Sequence, residues 1–285
     1  MLPEQTTLNC RGKLTDLTSP VVMGILNVTP DSFFDGGKYN SVDAALRQAA
    51  LMIEEGAWCI DVGGMSSRPG AEILAPEAEL ARVVPVIEAI ALRFPEVLIS
   101  VDTVHGYVAR HAIDCGAVII NDISAGRIDP GMLEVVAASK VPYILMHMQG
   151  SPSKMQLNPQ YEDVVLEVLD FFIQNVGRLR QMGIEDILLD PGFGFGKTLE
   201  HNYRLLHDLE VLKILGLPLL AGISRKSMVY RPLGIGPEEA LNPTCALHMV
   251  ALQRGAKVLR AHDVRAATEV IRLWQILEKA GSCSR

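Results

Sequence analysis

Positive charge is in short supply in this chain: 26 Lys and Arg face 33 Asp and Glu, leaving a net charge of −7. That balance excludes a general affinity for nucleic acid or for an anionic membrane surface. An anionic substrate would have to be held by a local cluster of cations, against the global field. Long apolar runs are missing as well. The stretch 21–28 is broken at Asn27, and 83–92 carries Pro85 and Glu88, so nothing approaches a membrane span. The start from Met1 to Gly12 is polar, with no apolar core of signal-peptide length. The five cysteines, at 10, 59, 115, 245 and 283, contain no C-x-x-C pair. They fit neither a disulfide framework nor a zinc site, and the expected compartment is the cytoplasm. No low-complexity tract or Pro/Gly/Ser-rich linker divides the chain, which reads as one domain over 1–285.

Apolar material is plentiful at 49%, and it falls in short runs. A small hairpin is expected first, with Leu8 and Cys10, a turn at Arg11-Gly12-Lys13, then Leu14. Strand candidates follow at 21–28, 58–63, 97–103, 117–123, 141–147, 187–192, 217–224 and 257–263. Their continuous apolarity suits strands buried on both faces of a parallel sheet. Helices are expected at roughly 41–55, 76–93, 104–115, 130–139, 162–182, 199–215, 237–254 and 264–280. Several end at a glycine (Gly56, Gly116, Gly183), which suits a left-handed cap. Eight β-then-α units in about 250 residues match an α/β (β/α)8 TIM barrel. A doubly wound open sheet is the competing architecture, disfavoured by the count of eight.

Each strand candidate ends on polar residues. In order these are Asn27, Asp61, Asp102, Asn121-Asp122, His147, Asp190, Ser224-Arg225-Lys226 and Arg260-His262-Asp263. Taken singly, an Asp or Asn after a strand is more often a cap or a turn former. Eight such ends together would converge on the carboxyl rim of a barrel, where barrel enzymes carry their active sites. Asp102 and Asp190 follow apolar runs directly, and burying an unpartnered carboxylate is costly, so a cation or ligand is expected there. Lys226, Ser227, Arg260 and His262 form the densest basic group, on the loops that often bind phosphate in this architecture. GFGFGKT (192–198) looks like a nucleotide loop. It fails the Walker A spacing at Pro191 and the dinucleotide fingerprint at Lys197, and reads instead as a flexible glycine-rich loop.

Nine blocks now fall into one pattern: MGILNVTPDSFFDGG (23–37), DVGG (61–64), SRPGA (67–71), SVDT (100–103), IINDI (119–123), LMHMQG (145–150), LLDPGFGFGK (188–197), SRKS (224–227) and RAHDV (260–264). In order and spacing the chain resembles the dihydropteroate synthases from residue 21 to about 265. The resemblance implies condensation of 6-hydroxymethyl-7,8-dihydropterin pyrophosphate with p-aminobenzoate, giving 7,8-dihydropteroate and pyrophosphate. It implies that Asp102, Asn121, Met146, Asp190 and Lys226 hold the pterin, and that Asn27, Arg260 and His262 hold pyrophosphate, with Mg2+ at Asn27. Ser67, Arg68, Pro69, Phe195 and Ser227 would surround p-aminobenzoate. Asp102, Lys226 and Arg260 would carry the catalysis, in a homodimer.

The chemistry of these side chains agrees with that assignment. A carboxylate such as Asp190 can meet the guanidine-like edge of a pterin with paired, charge-assisted hydrogen bonds, and an amide such as Asn121 offers a donor and an acceptor. Departure of pyrophosphate calls for cations and Mg2+, which needs few protein oxygens. A dissociative substitution is expected, with Asp102 and Asp190 facing a methylene cation and no protein nucleophile. The Gly, Pro, Ser and Asp-rich loops at 29–40 and 64–75 are expected to close over substrates. The chain departs from the family at Met65-Ser66-Ser67, where the family commonly has Glu then Ser-Thr. Two other readings share the barrel: a methyltetrahydrofolate-dependent methyltransferase domain and a non-catalytic pterin-binding paralogue. A methyl donor would have no use for Arg260 and His262 as pyrophosphate ligands, and only Met65 supports the second.

Overall fold

The structure is a computed structural model that describes residues 4–29, 37–65, 73–152 and 155–282, with only the backbone described at 37–41 and 282. β1 (Thr7–Cys10) and β2 (Lys13–Asp16) form the expected antiparallel hairpin. Eight parallel strands follow: β3 (Val21–Asn27), β4 (Cys59–Gly63), β5 (Leu98–Asp102), β6 (Ile119–Asp122), β7 (Tyr143–Met146), β8 (Ile187–Asp190), β9 (Leu219–Ala221) and β10 (Ala256–Ala261). They pair in chain order, and β10 closes onto β3, so the sheet is a barrel and not an open doubly wound sheet.

The helices are α1 (Gly37–Glu54), α2 (Pro76–Arg93), α3 (Gly106–Asp114), α4 (Met132–Ser139), α5 (Val164–Gln181), α6 (Leu199–His207), α7 (Ser227–Tyr230), α8 (Leu241–Gln253) and α9 (Val264–Ser282). Local chemistry explains their limits. α2 opens with Pro76 in its first turn, where its missing N–H costs nothing, and buries Glu79, Val83, Val86, Ile87 and Ile90 along one stripe. Asp163 caps α5 by accepting from the backbone N–H groups of Val165 and Leu166. Gly56, Gly116 and Gly183 do take the left-handed conformation expected of helix-ending glycines.

Three expectations need correction. The helix expected over 199–215 divides at Asp208, which pairs with Arg204 and His207. Beyond it the buried Leu209 and Leu212 recur every three residues, and Leu209–Leu215 winds as 3-10 helix. The helix expected from 237 begins as a short 3-10 turn at Pro237–Glu239, and α8 starts only at Leu241. α1 begins at Gly37, which shortens the loop expected over 29–40.

Side-chain alternation separates two cores. Met23, Cys59, Leu98, Ile119, Ile144, Leu188, Leu220 and Val258, one from each barrel strand, pack together inside the barrel. Leu8, Cys10 and Leu17 join them, so the hairpin plugs the amino end of the barrel. The alternate residues, including Ile60, Val101, Ile120, Leu145, Leu189 and Leu259, pack outward against the helices.

Candidate active site

Because side chains alternate, the residue two positions beyond each inner apolar residue also faces the barrel axis, one layer nearer the carboxyl rim. That layer reads Ile25, Asp61, Ser100, Asn121, Met146, Asp190, Gly222 and Arg260. Asn27, Gly63 and Asp102 stand one layer higher still. The apolar filling of the barrel thus gives way to acids, amides and a guanidinium within a single step of two residues.

Arg260 organises this layer. Its Nε donates to Asp61 Oδ2 at 2.6 Å and its Nη2 to Asp102 Oδ2 at 2.7 Å. Asn121 Nδ2 donates to the same Asp61 oxygen at 2.9 Å. Asp61 is fully buried, so these partners are what make its charge tolerable there. Burial alone would lower the Arg260 pKa, but Asp61 and Asp102 outweigh it and hold the guanidinium charged. Burial pushes Asp102 up to about 7, with Asp61 adding to the rise and Arg260 opposing it. Burial and the neighbouring Asp61 charge thus hold Asp102 well above the ordinary carboxylate range.

The glycine-rich segment after β8 is pinned and not the flexible loop expected. Gly192, Gly194 and Gly196 all have φ between 62° and 81°. A Cβ on Gly192 would strike the His147 carbonyl oxygen, and one on Gly196 the Gln149 carbonyl, so only glycine allows this approach. Lys197 locks the segment from beneath. Its buried Nζ bonds His147 Nδ1 at 2.9 Å, the Gly192 carbonyl at 3.0 Å and the Phe195 carbonyl at 3.2 Å. Burial, with the Lys197 and Arg127 cations, lowers His147 to about 2 and leaves its imidazole neutral.

The pinned loop in turn holds Lys226. Lys226 Nζ donates to the Phe193 carbonyl at 2.6 Å and lies 4.7 Å from the centre of the Phe195 ring. Burial lowers Lys226 to about 8, opposed by Asp190. Asp190 is raised by burial against Lys226 and against the Gly192 N–H, which donates to its Oδ1 at 2.8 Å. A Cβ on Gly222 would lie 3.6 Å from Lys226 Nζ and 3.7 Å from Asp190 Oδ2. Glycine at 222 therefore keeps the space between that cation and that acid open.

Not every expected rim residue joins the site. Asp122 points outward, accepting from Tyr143 OH and from the N–H groups of Ser124 and Gly126, because its neighbour Asn121 takes the inward position. His147 turns to Lys197. Arg225 is held by Asp263 through two bonds of 2.8 and 2.7 Å. Arg260 and His262 sit on the same side of their run. Arg260 is tied down inside the barrel, while His262 lies exposed just past the end of β10. Ser67, Arg68 and Pro69 lie outside the described residues. Met65 packs beside Val104, Ile123, Met146, Met148, Met155 and Phe195, and its Sδ accepts from Leu74 N–H at 3.4 Å.

Three residues had no role in the sequence reading. Asp61 was visible only as a strand end, and its bonds to Arg260 and Asn121 span 199 and 60 residues. Lys197 was hidden inside a rejected nucleotide motif. Glu79 lies buried in α2, where Thr103 Oγ1 donates to its Oε2 at 2.9 Å directly beside Asp102.

Comparison with known proteins bears on what this arrangement is for. The family described as pterin-binding enzymes matches residues 23–262. Dihydropteroate synthase of Escherichia coli K12 is 52% identical over 268 residues, covering 93% of this chain and 94% of that one. The crystal structure of Yersinia pestis dihydropteroate synthase with a sulfonamide drug superposes at a TM-score of 0.90, with 45% identity over 96% of this chain and 99% of that one. The Xanthomonas albilineans enzyme in complex with 7,8-dihydropteroate gives 0.86, with 42% identity over 95% and 98%. With the closed barrel and its charged inner layer in place, these matches show that the chain belongs to the dihydropteroate synthase family of transferases.

Proposed function

We propose that the chain condenses 6-hydroxymethyl-7,8-dihydropterin pyrophosphate with p-aminobenzoate at the carboxyl rim of the barrel, releasing 7,8-dihydropteroate and pyrophosphate. The observation that carries this reading is the inward layer in which Asp61, Asn121, Asp190 and Arg260 face one another below Asp102 and Lys226. Asp190 keeps Oδ2 for the donor edge of the pterin, since Gly192 occupies Oδ1. Asn121 commits its amide N–H to Asp61, which leaves Oδ1 to accept from the ligand. Lys226 donates across the gap at Gly222, and Met146 supplies an apolar face.

Asn27, Arg260 and His262 are the pyrophosphate ligands in this reading. The Asn27 side chain has no hydrogen-bond partner among the described residues. Its Oδ1, close beside Gly63, is the oxygen that would hold Mg2+, an ion that takes few protein ligands. When bound, Mg2+ offsets charge on the departing pyrophosphate. Phe195 and Ser227, with Ser67, Arg68 and Pro69, form the arylamine side. Ser227 opens onto a cavity that Gln156, Asn202 and Arg231 also line.

The reaction needs no protein nucleophile. The C–O bond breaks with its electron pair on pyrophosphate, Asp102 and Asp190 stabilise the methylene cation, and the arylamine nitrogen forms the C–N bond and then loses a proton. A homodimer belongs to this reading, supported by the exposed stripe Leu273, Ile276 and Leu277 on α9. A cytoplasmic setting is supported by the free thiols of Cys10, Cys59, Cys115 and Cys245. No described helix is long and apolar enough to cross a membrane.

One assay tests the activity. Purified protein should release pyrophosphate only when pterin pyrophosphate, Mg2+ and p-aminobenzoate are all present, and a sulfonamide should compete with p-aminobenzoate. Release that ignores p-aminobenzoate, or tight pterin binding without turnover, overturns the proposal.

A further inference from the structure

Ser224 is buried where the chain leaves β9, and no role has yet been given to it. Its Oγ lies 3.1 Å from His262 Nδ1 and also accepts the backbone N–H of His262 at 3.2 Å. The backbone N–H can only donate, so one lone pair of the hydroxyl is already taken. The hydroxyl hydrogen then has a single acceptor among the described residues, His262 Nδ1. The reverse arrangement, with Nδ1–H donating to Oγ, would strand that hydrogen in a buried position, at a cost of about 1–3 kcal/mol.

The surroundings also disfavour an imidazolium. Partial desolvation and the Arg260, Arg225 and Lys226 cations lower His262 to about 4, with only Asp263 opposing. Asp263 is itself engaged by both bonds from Arg225. A neutral ring whose Nδ1 accepts must carry its hydrogen on Nε2.

We propose that Ser224 is a positioning residue that fixes His262 as the Nε2–H tautomer, so that an exposed neutral N–H meets the oxygens of the departing pyrophosphate. The second half rests on His262 being a pyrophosphate ligand; the first does not. A neutral donor beside Arg260 and Lys226 adds a directed bond without adding a third cation to a crowded site. In the opposite tautomer Nε2 would present a lone pair to an anion and repel it.

The test uses the full chain labelled with 15N-histidine, with the His262 ring assigned by its loss in His262→Gln. At pH 7 the wild-type ring should show an unprotonated Nδ1 and a protonated Nε2, and Ser224→Ala should move it to a mixture of tautomers. Affinity for inorganic pyrophosphate with Mg2+, measured by calorimetry, should fall about tenfold in Ser224→Ala, as expected for one lost hydrogen bond. Ser224→Thr should restore both readouts. A wild-type ring protonated on Nδ1, or a spectrum unchanged in Ser224→Ala, overturns the role of Ser224 even if His262→Gln loses pyrophosphate. A shifted tautomer with pyrophosphate affinity unchanged in both variants overturns instead the assignment of His262 to pyrophosphate.

Discussion

Asp61→Asn probes the centre of the inner layer with the smallest change of shape. Asp61 accepts from Arg260 Nε at 2.6 Å and from Asn121 Nδ2 at 2.9 Å through one fully buried oxygen. A hydrogen bond to a charged group is worth ~1.5–3 kcal/mol, and orphaning a buried ion-pair partner outright costs ~3–5 kcal/mol. Asparagine keeps one acceptor oxygen, and Arg260 keeps Asp102 at 2.7 Å. The expected loss is therefore near the lower limit, about 3 kcal/mol, which lowers the melting temperature by roughly 5 °C in a domain of this size. A second signature has a definite sign. The Asp61 charge helps hold the Asp102 pKa up near 7. Removing it should lower the Asp102 pKa, moving the acid limb of kcat/KM for pterin pyrophosphate to lower pH as the peak rate falls. Thermal unfolding and a pH–rate series check the two together. An unmoved acid limb with a melting temperature within about 1 °C of wild type would refute the hub.

Four further outcomes follow from the same geometry. With Asp102 needed ionised at about 7 and Lys226 protonated at about 8, kcat/KM should trace a narrow bell between those values. Lys226→Ala should lose at least ~100-fold in turnover, together with the alkaline limb; a flat wild-type profile from pH 6 to 9 would sink both roles. Glu79 is pushed up from 4.5 to about 7 by burial, against Thr103 and Arg82. The folded chain thus holds that proton more tightly than the unfolded one, and the stability this provides is lost as pH rises from 4.5 to 7. Glu79→Gln should therefore be nearly neutral at pH 5 and stabilising by up to ~3 kcal/mol at pH 8, and a variant less stable than wild type at pH 8 contradicts it. Gly192→Ala places a Cβ against the His147 carbonyl at a φ of 69°. It should cost more than ~3 kcal/mol and show in soluble yield and melting temperature; a fully active, equally stable variant would mean the loop is not pinned.

The amino-acid sequence by itself determined the barrel and which residues end its strands. Eight continuous apolar runs can be buried only between two cores, and a period of two within each run decides which side chains face the axis. Asn121 and Asp190 could be placed because each stands two residues past an inner apolar neighbour, and the same period turns Asp122 outward. Pairings across the barrel were beyond that reasoning. The bonds of Arg260 to Asp61 and Asp102 join residues 199 and 158 positions apart, and closure of the sheet alone brings them together. The glycine-rich loop shows the same limit from the other side. Its composition reads as freedom, yet contact with the 147–149 backbone and the Lys197 bonds hold it still. Local pattern determines how each segment folds and which way it faces; which buried charges neutralise one another, and so which of them titrate near pH 7, was decided by packing between distant segments.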